Sequence, residues 1–125
     1  MASEDMAQER HAYWTIFEGG LMVSGKLVRD LIPQIIRASG VEPMAYVAGP
    51  EEYRERLRHK LSEEVNEFLS ADNSAAAEEL ADVLEVVHAL ALDLGITLDR
   101  LEELRAQKAE ERGGFAGRVV WTGNA

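Results

Sequence analysis

The residues best suited to chemistry in this chain are acids. Glu63-Glu64-Val65-Asn66-Glu67 is followed, after a gap of eleven residues, by Glu79-Leu80-Ala81-Asp82. In each group two carboxylates stand three positions apart, Glu64 with Glu67 and Glu79 with Asp82, so on a helix they are surface neighbours. Four ionised carboxylates gathered at one place repel one another strongly unless something neutralises them. Their oxygens suit a hard divalent cation, Mg2+ first and Mn2+ as an alternative. The competing reading is two Glu-rich helices with solvated faces, tied by i,i+4 pairs such as Lys60–Glu64.

Position on the helices separates these readings. Gly49-Pro50-Glu51-Glu52 reads as a helix start, with proline in the first turn and acids beside the positive end of the helix dipole. That helix should run to about Ser70. Asp72-Asn73-Ser74 is a turn with capping residues. A second helix follows over residues 75–94 and closes at Gly95. Thr97 can cap a third over 98–112, ended by Gly113-Gly114, and Pro33 suits the first turn of a shorter helix that ends at Gly40. With each residue advancing by about 100°, Tyr53, Leu57, Leu61, Val65, Phe68 and Leu69 mark the apolar arc of the first long helix. Glu64 falls inside that arc and Glu67 at its edge, whereas Glu51 and Glu55 sit opposite, where solvated acids belong. On the second helix Glu79 projects between Val86 and Leu90, with Asp82 one turn on. Both pairs therefore lie at the border of a buried face, which favours a metal site. The fold class is all-α, a bundle of antiparallel helix hairpins. The second helix is apolar around most of its circumference, more than one small bundle needs, which is consistent with assembly.

Composition narrows the function. The chain has 125 residues, suiting one core, with 13 Lys+Arg against 23 Asp+Glu and a formal net charge of −10. Such a surface repels nucleic acid. No apolar run approaches the roughly 20 residues of a membrane span. The opening from Met1 to Asp5 is acidic and does not read as a secretory signal. There is no cysteine, which excludes disulfides and thiolate metal sites and fits a cytoplasmic setting. Residues 1–24, with Tyr13, Trp14 and Phe17 but little period, read as an N-terminal extension; residues 25–125 form the domain.

Two basic groups stand out against this acidity. Lys26 and Arg29 precede the short helix, and Arg105, Lys108 and Arg112 share one side of the third. Such groups are the usual partners of phosphate oxygens, although surface ion pairing, Arg105 with Glu102 for instance, accounts for either group taken alone. No Walker-type glycine loop, GxGxxG or nucleophile elbow is present.

The acid spacing resembles the EExxE…ExxD signature of the MazG-like all-α nucleoside triphosphate pyrophosphohydrolases. Lys26-Leu27-Val28-Arg29-Asp30-Leu31-Ile32-Pro33 and Lys108 through Arg112-Gly113-Gly114-Phe115 are similar to the branch labelled phosphoribosyl-ATP pyrophosphohydrolase-like, and the likeness spans about residues 25–120. The eleven-residue gap between Glu67 and Glu79 lies at the short end for this family and implies a tight helix turn. The resemblance implies Mg2+-dependent hydrolysis between the α- and β-phosphates of a nucleotide, releasing pyrophosphate. It further implies metal ligation by Glu64, Glu67, Glu79 and Asp82, with Glu63 and the two ligating Glu of that helix at the reacting centre. Lys26, Arg29, Lys108 and Arg112 would contact phosphate, and the chain would assemble as a homodimer or tetramer. Three activities fit: clearance of non-canonical or surplus nucleoside triphosphates, hydrolysis of phosphoribosyl-ATP, and a helical interaction protein without catalysis.

Overall fold

Helix-start chemistry decides where the chain becomes regular. In the computed structural model, which describes residues 25–125 and the backbone of two short strands before them, α1 is Ile32–Ala38, α2 Pro50–Ser70, α3 Ala76–Asp93 and α4 Leu98–Arg112. Strands β1, Phe17–Glu18, and β2, Leu21–Met22, form a two-residue antiparallel pairing. The fold is all-α, and the helix boundaries fall within a residue or two of those expected. The remaining expectations for residues 1–24 lie outside the described residues. The chain divides into two compact units, Met1–Leu90 and Ala91–Ala125.

In the first unit, α2 starts after Gly49 with Pro50 in its first turn and Glu51 and Glu52 beside the exposed amides. The α2–α3 turn is organised by one side chain: Asp72 Oδ1 accepts from the Ser74 amide at 3.1 Å, the Ser74 hydroxyl at 2.6 Å and the Ala75 amide at 3.1 Å. The hydroxyl above all, with these amides, holds the Asp72 carboxyl below the usual carboxylate range. This compact turn makes the short connection possible and starts α3 four residues later, with Glu78 and Glu79 in its first turn. Among the described residues of this unit the buried apolar ones are Ile32, Leu57 and Val86, one each from α1, α2 and α3. Arg56, Lys60, Glu64 and Glu79 are buried as well, so polar groups share the interior with a small apolar core.

Not all of the expected apolar arcs are covered. Leu69, near the end of α2, is exposed, and Leu80 and Leu84, one turn apart on α3, are 52% and 53% exposed. Three helices around so small a core leave the surplus apolar side of α3 facing water, as its wide arc anticipated.

In the second unit, Gly95 closes α3 in the left-handed conformation (φ +78°), with the Ile96 amide donating to the Ala91 carbonyl at 2.8 Å. Thr97 Oγ1 then accepts from the Arg100 amide at 3.0 Å and caps α4. Residues 113–125 carry no strand and are exposed.

Leu57 is only 2% exposed, so Leu57→Ala should cost about 2–5 kcal/mol through lost burial and a residual cavity. Denaturant unfolding monitored by circular dichroism measures this; a loss below about 1 kcal/mol would show that the site collapses without strain.

Candidate metal centre

The site is assembled by the α2–α3 hairpin. Glu64 sits two-thirds of the way along α2, Glu79 in the first turn of α3, and Asp82 one turn further. One carboxylate oxygen from each of Glu64, Glu79 and Asp82 lies within 4.8 Å of the other two. Glu64 is 7% exposed and its Oε2, shut off from solvent, has no hydrogen-bond donor among the described residues. Burial pushes the Glu64 carboxyl above its ordinary range; Lys60 opposes this, while Asp82 and Glu63 add to it. A buried carboxylate that needs positive charge, facing two further carboxylates, is a donor set that fits a hard cation.

Cationic side chains already stand in this cluster. Lys60 is buried, with Nζ 3.4 Å from Glu64 Oε1 and 3.6 Å from Glu63 Oε1. Lys26 Nζ also donates to Glu63 Oε1. Arg29 Nη2 donates to Asp82 Oδ1 at 2.7 Å, with the guanidinium about half exposed. The segment over residues 25–31 thus brings both of its expected basic residues to the acids.

The four expected ligands are placed as follows. Glu64, Glu79 and Asp82 converge; Glu67 is half-buried on α2 and is not one of the three whose oxygens meet. Glu63 joins the same cluster through Lys26 and Lys60. Lys108 and Arg112 stand exposed on α4, in the second unit. Arg105 pairs there with Glu102 at 2.6 Å, as the surface-pair reading anticipated. Sequence reasoning treated Lys60 as an ordinary surface partner and passed over Arg56. Glu52, Arg56, Lys60 and Glu64 are spaced by four and form one stripe; placing the first three on the same wheel as Glu64 would have located the buried cations.

Helices that carry a carboxylate set across a tight hairpin define a domain of MazG-like all-α type. Residues 28–109, more than half of the chain, match the profile of the family described as phosphoribosyl-ATP pyrophosphohydrolase. The chain belongs to that family. Its members generally depend on a divalent metal, in keeping with the acidic cluster. A protein of Mycolicibacterium smegmatis (strain ATCC 700084 / mc(2)155), described as "Uncharacterized protein", is 48% identical over 54 residues, covering 43% of this chain and 55% of that protein. The chain therefore matches about half the length of this curated relative. No solved structure matches the chain. No described helix is long and apolar enough to cross a membrane.

The raised Glu64 carboxyl fixes the sign of a pH effect. An acid that holds its proton more tightly when folded favours folding at low pH, and that contribution is lost as pH rises from the ordinary value of 4.5 through the raised one. Glu64→Gln removes this loss. Unfolding titrations in chelator should show the variant gaining on the wild type as pH rises above 4.5; parallel pH profiles would mean that Glu64 ionises as it does in water.

Proposed function

We propose that this chain is a Mg2+-dependent nucleotide pyrophosphohydrolase that cleaves between the α- and β-phosphates of a nucleoside or deoxynucleoside triphosphate, giving a monophosphate and pyrophosphate. The observation that carries this reading is the convergence of Glu64, Glu79 and Asp82 in a chain of the pyrophosphohydrolase family. These three residues, with Glu67 as a fourth candidate, would hold the cation. When bound, Mg2+ supplies charge neutralisation and Lewis acidity at phosphate oxygens.

The chain's own residues do the rest. Lys26 and Arg29 lie against the acids and would turn to phosphate oxygens as substrate arrives. Arg29, half exposed and bonded to a candidate ligand, is the freer to exchange partners. Glu63 would orient the attacking water while Lys60 holds its carboxylate in place. Non-canonical or surplus nucleotides are the substrate class proposed first. Membership of a family described as phosphoribosyl-ATP pyrophosphohydrolase favours phosphoribosyl-ATP as the second reading. Leu80 and Leu84 on α3 support assembly as a homo-oligomer, because their half-exposed pair is an apolar surface of the kind a second copy covers.

Pyrophosphate release should be measured with Mg2+ across nucleoside triphosphates and phosphoribosyl-ATP. The wild type should turn over at least one of them and chelator should abolish the activity. Glu64→Gln and Asp82→Asn should lower kcat/KM by about 10²–10³-fold, the usual scale for removing one electrostatic partner of a transition state. Undiminished activity in both variants would sink the site, and no turnover of any substrate would favour the interaction protein. A matching loss in Glu67→Gln would add Glu67 to the ligands. Mn2+ should also raise the thermal midpoint of the wild type and fail to do so in Asp82→Asn, since a ligand that binds the folded state stabilises it.

A further inference from the structure

Arg56 is a buried cation that the proposed chemistry does not use. It is 7% exposed and sits on α2 two turns before Glu63. Its Nε donates to Glu52 Oε2 at 2.7 Å, its Nη1 to the Gly25 carbonyl at 3.0 Å, and its Nη2 to the Tyr46 hydroxyl at 3.4 Å. The Tyr46 hydroxyl donates in turn to Glu52 Oε2 at 2.5 Å, closing a ring of contacts. One guanidinium therefore joins three pieces of chain: the segment that starts at Gly25, the loop before α2, and α2 itself.

The residue after Gly25 is Lys26, whose ammonium meets Glu63, and three residues on Arg29 meets Asp82. Along the helix about 10 Å separates Arg56 from Glu63. Lys26 bridges between the point where Gly25 is fastened and the acid cluster, so a shift of the Gly25 backbone displaces its ammonium. Gly25 has φ +93°, a left-handed conformation that sets the direction of its carbonyl and is strained for other residues. The planar, multiply donating fork of arginine suits three acceptors in fixed directions, and the compact ammonium of lysine does not reproduce it.

We propose that Arg56 is a positioning residue that fastens the segment over residues 25–31 onto α2 and so sets where Lys26 and Arg29 meet the phosphates of the substrate. The phosphate half rests on the function proposed above; the fastening half does not. Amide hydrogen exchange and steady-state kinetics on Arg56→Met, in the full chain, test it. Exchange over Lys26–Arg29 should speed up by about tenfold or more, the scale of one lost charge-assisted hydrogen bond. Amides over Leu61–Val65 and Mn2+ affinity should stay within about twofold of wild type, while KM rises about tenfold at little-changed kcat. Arg56→Lys should recover only part of the KM. Unchanged exchange over Lys26–Arg29, or a loss of kcat at constant KM, overturns the proposal. If Arg56→Met does not fold, Arg56→Gln is read by the same two measures and the same outcomes. If the wild type turns over no nucleotide, the functional reading fails. Calorimetric binding of tripolyphosphate in Mn2+ then replaces KM: weaker binding in the variant supports the positioning role, and equal binding overturns it.

Discussion

An ionised carboxylate taken out of water must be met by positive charge, and α2 takes Glu64 out of water. Much of the first unit is arranged around that requirement. Lys60, one turn earlier on the same helix, supplies part of the compensation, and Arg29, from the segment before α1, supplies charge to Asp82. The compensation is incomplete: Glu64 remains harder to ionise than a solvated acid and one of its oxygens has no donor among the described residues. A site left short of positive charge in this way is poised to accept more of it, as binding a hard cation requires.

The hairpin makes this possible because its turn is held by a single aspartate. Three donors to one Asp72 oxygen close the chain in little space, so Glu79 enters in the first turn of α3 rather than a turn or two along it. There the positive end of the helix dipole favours its charge. The short gap between the two acidic groups, unusual beside the resemblance that identified them, is thus part of how the carboxylates meet.

Much of this was legible in the sequence. Pro50, Thr97, Gly40 and Gly95 mark helix ends through local backbone chemistry, which needs no tertiary knowledge, and the observed helices follow them. The burial of Glu64 and Glu79 was legible because a helix wheel depends only on spacing. Arg56 was illegible as a clasp, since its partners Gly25 and Tyr46 lie 31 and 10 residues away and no periodicity links them. The exposure of Leu80 and Leu84 was only half legible: their apolar character showed, but which side of α3 the rest of the unit would cover depends on packing.

Beside the Arg56–Gly25 bond, two contacts that draw the start of the domain onto the hairpin join residues 37 and 53 positions apart, and these two are ionic. An apolar clasp over such loops would not be weakened by charge screening. Lys26–Glu63 is nearly buried and largely shielded, whereas Arg29–Asp82 stands partly in water, within reach of screening. Dissolved salt therefore acts unevenly along one short segment: it loosens the end that carries Arg29 and leaves the end that carries Lys26 anchored.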